Sequence, residues 1–228
     1  MSDLVEYELN DSIATITMDD GKVNALSLQM LADINAALDR AAVDKAVVVL
    51  QGRDGMFSAG FDLRVLGGGG GDGLTMLREG FTLAERLLSS PMPVVIGCTG
   101  HAIAMGAFLL LSGDYRIGVS GPYKIQANEV AIGLTLPQSA IEICRQRLTP
   151  SHFSRTIGLA EAYVVDETAV EAGFLDRIVG WGELGDAVQA VATGLASLNM
   201  TAHAASKLKA RAASLAALRA AIESEFPD

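Results

Sequence analysis

Cysteine, aromatic rings and positive charge are all in short supply in this sequence, and each shortage removes a class of function. The two cysteines, Cys98 and Cys144, stand far apart with no CxxC or Cys/His spacing around them. Neither a disulfide framework nor a zinc site is expected, and both thiols read as buried and reduced. Lysine and arginine number 17 against 27 acids, for a net charge of −10. A field of that sign repels nucleic acid and anionic membrane surfaces, so neither is expected as a partner. Aromatics are 5% of the 228 residues while 50% are apolar, so the core has to be built from Ala, Val, Ile and Leu in tightly packed helices and buried strands. The opening Met1-Ser-Asp-Leu-Val-Glu-Tyr7 lacks a basic stretch followed by an apolar one, which points to a protein that stays in the cytoplasm.

One long uncharged run is present: no Asp, Glu, Lys or Arg lies between Arg86 and Asp114. Its length would span a bilayer, but Pro91, Pro93, Gly97, Gly100, His101 and Gly106 punctuate it. A buried strand, a turn and a buried helix are predicted instead of a membrane span. Around it the pattern is that of an α/β protein. Val5 to Leu9 and Ile13 to Met18 alternate on either side of Asn10-Asp11-Ser12, predicting a hairpin. Ser27 is placed to cap a helix bearing Met30, Leu31, Ile34, Ala37, Leu38 and Ala41 at helical spacing. Buried strands are predicted at 46–50, 94–96, 115–119 and 175–179, with helices over 74–89 and 104–111 between them, an alternation that implies a parallel sheet with right-handed crossovers. Shorter helices follow at 138–147, 151–158 and 166–172. From Glu183 to Glu225 the pattern is helical and Ala-rich, broken near Asn199. The predicted division is a core over 1–182 and a helical packing segment over 183–228.

The run Gly67 to Gly71, followed by Asp72-Gly73, satisfies GxGxxG through Gly68, Gly70 and Gly73. A dinucleotide site also needs a strand running straight into those glycines and an acid at the end of the next strand; neither is present, and a nicotinamide oxidoreductase is not favoured. Consecutive glycines are too costly to hold in one phosphate-binding geometry, so a mobile surface loop is expected, placed to act as a lid.

Two stretches carry the chemistry. Gly55-Met-Phe57-Ser58-Ala59-Gly60-Phe61-Asp62 follows the strand at 46–50, in the loop position where parallel sheets hold ligands. Its small residues admit a ligand close to the backbone, and a turn there can aim the Phe61 amide into a cleft. The second, Cys98-Thr-Gly100-His101-Ala-Ile-Ala104-Met105-Gly106-Ala107-Phe108, brings a buried strand through a turn into an apolar helix. The first amides of that helix have no intrahelical partner and sit at the positive end of its dipole, which suits a developing oxyanion.

Together these stretches resemble the paired oxyanion-hole motifs of the crotonase family, which includes enoyl-CoA hydratases and isomerases. The likeness runs from about Val5 to Val179. It implies a spiral of ββα units with a C-terminal helical region, assembled as a homotrimer or dimer of trimers. It implies an acyl-CoA or enoyl-CoA thioester substrate, held through the amides of Phe61 and Met105, with CoA beside Asn24, Ala25, Leu26, Ser58 and Ala59. CoA is then part of the substrate, and no separate cofactor or metal is implied. Of the two glutamates of the family's hydratases, one maps to Phe108 and the other to Glu129 in Gln126-Ala-Asn-Glu-Val-Ala-Ile-Gly133. That pattern is similar to the single-glutamate Δ3,Δ2-enoyl-CoA isomerases, whose reaction needs one base and a stabilised enolate. Apolar neighbours Val130, Ala131, Ile132 and Leu134 are expected to raise the Glu129 pKa by desolvation. The alternatives are 2-enoyl-CoA hydration and, because Met105 and Phe108 are bulky, a non-catalytic acyl-CoA-binding module.

The remaining polar residues read as supporting ones. His101 stands near the second motif, while His152 and His203 have no ligand spacing. Asp62 is expected to fix its own loop, Arg116 to anchor a strand, and Tyr163 and Asp166 are given no role. Lys22, Lys207, Lys209 and Arg211 are candidates for neutralising CoA phosphates.

Overall fold

Strand and helix alternate as the spacing predicts, but the described strands divide among three sheets, of six, four and two strands. The computed structural model describes residues 4–68 and 70–227. Strands β1 (Val5–Asn10) and β2 (Ile13–Met18) form the predicted hairpin, Val5 opposite Met18 and Asn10 opposite Ile13. A two-residue strand β3 (Ala25–Leu26) leads into helix α1 (Leu28–Asp44). Its cap is Ser27, whose side chain accepts from Met30 N, and its buried stripe is the six residues that the periodicity singles out.

Three turns of a spiral follow, each made of one strand in each of the two larger sheets and then a helix. The first contains β4 (Val47–Gln51), β5 (Gly55–Ser58), the short β6 (Gly60–Phe61), α2 (Leu63–Gly67) and α3 (Gly71–Ser89). The second contains β7 (Val94–Cys98), β8 (Gly100–Ile103) and α4 (Met105–Leu111). The third contains β9 (Tyr115–Val119), β10 (Gly121–Gln126), a 3-10 turn (Val130–Ile132) and α5 (Gln138–Arg145). The chain then runs through α6 (Pro150–Leu159), β11 (Tyr163–Val165), α7 (Glu167–Ala172), β12 (Arg177–Val179), α8 (Leu184–Ala196) and α9 (Met200–Glu225). The large sheet has the order β1-β2-β4-β7-β9-β12, parallel from β2 onward, and the smaller one the order β11-β10-β8-β5.

Both faces of the central strands β4 and β7 are buried, which is why they read as unbroken apolar runs. Val48, Leu50, Val94 and Ile96 face α1 and α3, while Val47, Val49, Val95 and Ile117 meet Leu184, Val188 and Ala192 of α8. Each fully buried side chain of this kind contributes about 1.5–3 kcal/mol. Helix α9 packs on α3 and α5. Its Lys207 and Arg211 bind Asp114 at 2.6 and 2.9 Å, and Asp114 also accepts from Val94 N. Arg116 anchors β9 as predicted, through two 2.8 Å bonds to Asp176 and one of 2.7 Å to Gly173 O.

The uncharged run resolves into the end of α3, then β7, β8 and α4, and no described helix is long and apolar enough to cross a membrane. The glycine run differs from expectation. Gly67 closes α2 and Gly71 opens α3, three residues earlier than predicted, so the run is not one long loop. Gly69 lies outside the described residues, as do Met1, Ser2 and Asp3 of the opening stretch. The GxGxxG glycines follow a helix and not a strand, in line with the case against a dinucleotide site.

Candidate active site

Strands β5, β8 and β10 run parallel in the small sheet, with Ser58 beside Ala102 and Ala102 beside Ile125. Their carboxyl ends lie together, and Phe61, Met105 and Glu129 each follow one of them by three residues or fewer. Ligands collect at such an edge because the chain leaves it in loops whose polar groups are not consumed by the ladder.

The first two of these positions are locked together by close backbone approach. Gly60 has φ +89°, and a Cβ there would lie 2.9 Å from Ile103 O, 3.0 Å from the Ala104 Cβ and 3.2 Å from Met105 N. Only glycine fits. Gly106 is equally constrained, since a Cβ would overlap Ser58 O. In the β3–β6 pair, Asp62 N donates to Leu26 O at 3.4 Å. In a parallel ladder alternate residues bond to the partner strand, so the Phe61 amide points away from β3. Asp62 caps α2, accepting from Arg64 N, the loop-fixing part that the sequence suggests. Its carboxyl is held below the usual range, first by the Arg64 guanidinium and then by the Arg64 amide.

Met105 is aimed by an unusual residue before it. Ala104 has φ 51° and ψ −123°, a backbone state that costs a non-glycine residue about 1–3 kcal/mol and persists only where its surroundings fix it. They do: Ala104 N donates to Gln126 O at 2.8 Å, and Ala104 O accepts from Ala107 N and Phe108 N. Met105 N, in the first turn of α4, has no hydrogen-bond partner among the described residues. It is a donor left open at the positive end of a helix.

Glu129 comes three residues after Gln126 and starts the 3-10 turn, its carbonyl accepting from Ile132 N and Leu134 N. Its Oε2 is buried with no hydrogen-bond partner among the described residues, and burial pushes its pKa up, only partly opposed by its own backbone amide. The Oδ1 of Asn128 beside it is also buried and unpaired. The thiol of Cys144 on α5 is raised by burial and then by the Glu129 charge, which places that thiol near the carboxylate. An open apolar groove of about 360 Å³ adjoins this turn, lined by Val130, Leu134, Leu136, Ile141 and Ile157 among others. The largest cavity described, about 570 Å³, is elsewhere, between Gln51, Arg53, Thr99 and Trp181, and none of the three positions borders it.

Phe108 is 1% exposed and belongs to a row of rings. Phe81 stacks on it at 6.2 Å, meets Phe61 edge-on at 6.1 Å, and stacks on Phe226 at 5.5 Å. No carboxylate is offered from that position. The sequence gives no hint of Phe226 or of Glu225, whose carboxylate caps α5 by accepting from Gln138 N and Ser139 N. Gly80 was also overlooked, although a glycine inside an amphipathic helix is a visible signal.

The residues singled out for CoA form one bonded corner. Asn24, at φ 50°, donates through Nδ2 to Met18 O and Phe57 O, and its Oδ1 accepts from Asp20 N. Ser58 Oγ donates to Asn24 O and accepts from Gly60 N. Ala25 N is bonded to Asp20, and Ala59 N to Val23 O. These side chains build the corner, leaving Ala25 and Ala59 half-exposed at its surface and Leu26 buried. Two candidates for holding CoA phosphates need correcting. Lys207 and Arg211 are engaged by Asp114 and by the last carbonyls of α3, Leu87 O and Leu88 O, which ties both side chains to the seam between α3 and α9. Lys22 and Lys209 remain exposed.

The histidines lie apart from one another. His101 accepts from Lys124 N and meets the Tyr123 ring. His152 pairs with Thr149, and His203 lies on α9 with its pKa lowered by burial. Tyr163 packs on His152 and Phe174, and Asp166 caps α7. Both cysteines are buried and free, and among the described residues no group of three acids, histidines or cysteines is spaced to hold a metal.

A family model described as enoyl-CoA hydratase/isomerase matches residues 8–226. Among solved structures, an apo enoyl-CoA isomerase of Mycobacterium tuberculosis is 50% identical, covers 98% of this chain and 97% of its own, and superposes with a TM-score of 0.94. The same mycobacterial protein is also described as a probable enoyl-CoA hydratase. A probable enoyl-CoA hydratase of Rhodobacter capsulatus is 36% identical over 128 residues, 54% of this chain. The human peroxisomal bifunctional enzyme is 28% identical over 189 residues, 82% of this chain. The matched stretch spans 49% of the Rhodobacter protein and 25% of the human one.

Proposed function

This chain belongs to the enoyl-CoA hydratase/isomerase family and has the crotonase fold, and from that premise we propose that it converts a 3-enoyl-CoA to the 2-enoyl isomer with Glu129 as its one base. The observation that carries the proposal is the buried, unpartnered Oε2 of Glu129. The thioester oxygen accepts from the amides of Phe61 and Met105, which makes the C2 proton acidic. Glu129 takes that proton, and the electrons of the C2–H bond pass into an enolate held by the two amides. The same carboxyl then gives the proton to C4. The C3–C4 double bond thereby moves to C2–C3, and the base is restored with no net gain or loss of protons. Fixed donors are suited to this because charge collects on the oxygen only along the reaction path. A raised pKa suits a group that must both take and return a proton near neutral pH.

Hydration of a 2-enoyl-CoA is the second reading, favoured by the hydratase descriptions of relatives. Adding water needs a second group to orient it, and Phe108 cannot do so. CoA contacts along Ala25 and Ala59, assembly as a homotrimer or dimer of trimers, and 183–228 as a packing segment belong to the same proposal. The test is turnover of 3-enoyl-CoA and 2-enoyl-CoA by the protein and by Glu129→Gln. Loss of 3-enoyl conversion in the variant supports the isomerase. Hydration of the 2-enoyl substrate alone overturns it in favour of the hydratase. Binding without turnover of either leaves an acyl-CoA-binding module.

A further inference from the structure

We propose that Gly80, in the middle of α3, is a positioning residue that sets the two amide donors against each other; this rests on the reading of Phe61 and Met105 above. A Cβ built on Gly80 would overlap Cε1 of the Phe61 ring, lie 2.5 Å from its Cζ, and touch Cγ of Met105 at 3.7 Å. The side chains of both donor residues therefore end on the same bare patch of helix. Glycine is disfavoured inside a helix relative to alanine, and Gly80 is buried ten residues into a 19-residue one. The missing methyl is the space the ring occupies.

The ring has little room to retreat into the core. Phe81 stands against it edge-on and is itself stacked on Phe108 of α4, the helix that begins with Met105. The backbone before Phe61 is fixed by the close approach of Gly60 to Ile103 and Ala104, so any give lies after it, where β6 ends and the Asp62 N to Leu26 O bond is 3.4 Å. A methyl at position 80 would displace the ring, and the shift would pass through the shared Cα to the amide. Donation to an oxyanion requires about 2.7–3.1 Å, so displacement of one donor and not the other weakens the pair without touching the base or the CoA corner.

The experiment is a double-mutant cycle of Gly80→Ala and Phe61→Leu, reading kcat and KM for 3-enoyl-CoA per folded molecule, with melting temperatures. Leucine lacks the ring atoms that the new methyl meets. In the original background Gly80→Ala should lower kcat about tenfold or more, the scale of weakening one oxyanion donor, with KM little changed. In the Phe61→Leu background, taken at whatever activity it has, the same change should leave kcat within about twofold and raise the melting temperature, as alanine for glycine does in an unstrained helix. Equal loss in both backgrounds, or no loss in the first, overturns the role of Gly80 while turnover that depends on Glu129 leaves the isomerase reading intact. Turnover that survives Glu129→Gln, or is absent from the unsubstituted protein, removes that reading and this role with it.

Discussion

Asp114 and Glu129 are both drawn out of solvent, but Asp114 meets Lys207, Arg211 and a backbone amide, whereas Glu129 keeps one carboxylate oxygen buried without any partner. The first is surrounded by what its charge requires and joins α9 to the spiral. Lys207 is pushed down by burial even so, with Asp114 working the other way, and Arg147 nearby is pushed down to about 10 by burial and by neighbouring cations. The second acid is retained at a cost that its own backbone amide only partly offsets. An ion pair with good geometry is what a fold uses to survive burial of charge; an unpaired buried acid is the kind of group that the proposed reaction requires as its base.

The largest expected difference between the two is in turnover. Glu129→Gln should reduce 3-enoyl-CoA conversion by about 10²- to 10⁴-fold, the usual contribution of a general base, measured with purified enzyme at saturating substrate. Asp114→Asn should do the reverse. Removing one partner of a buried pair costs about 3–5 kcal/mol of stability, readable by urea titration, while kcat per folded molecule stays within a few-fold. If Asp114→Asn abolished turnover in folded protein, or Glu129→Gln unfolded the chain, the contrast would be wrong.

A smaller effect sharpens the contrast through pH. As the base, Glu129 must start ionised, and its pKa is raised. The limb of kcat/KM against pH on the acid side should therefore lie above the ordinary carboxylate range, with activity full above the raised pKa and falling below it. A limb at the ordinary glutamate position would mean that the titrating group is solvated and is not this one.

How far the sequence disclosed all this depends on the kind of signal. The large sheet was plain because strands buried on both faces leave apolar runs, and α1 because six apolar residues keep helical spacing. The small sheet was not visible as strands: β5 and β8 are only four residues long, and β5, β8 and β10 each open on glycine, so these stretches read as turns. The three site positions came from motif resemblance, with the open donor at Met105 also following from helix-end physics. That the first two come together was implied by the same resemblance, but the means was not legible: it depends on Gly60 and Gly106 admitting the opposite backbone. Lys207 and Arg211 were misjudged since a basic residue on an Ala-rich helix looks solvated until its partner, 93 positions away, is brought to it. Gly80 fails for a similar reason, as its meaning lies in a ring from another turn of the spiral.

The smallest effect tests whether Glu129 is a burden on the fold at all. A carboxyl whose folded pKa is raised above its unfolded value binds protons more readily when folded, so stability is lost as pH rises through that interval and is recovered as pH falls below the unfolded value. Glutamine has no such dependence. Glu129→Gln should therefore be more stable than the unsubstituted protein at neutral pH, by about 1 kcal/mol, the scale of one buried polar group relieved of its desolvation penalty, or a melting shift of about 2–4 °C. The difference should shrink as pH falls, because the original carboxyl then becomes neutral. Asp114→Asn, which leaves its two cations uncompensated, should lose stability at neutral pH. A gain at Glu129 that fades in acid, set against a loss at Asp114, is the pattern expected of one unpaired and one paired acid; a loss at both sites would show that Glu129 has a structural partner after all.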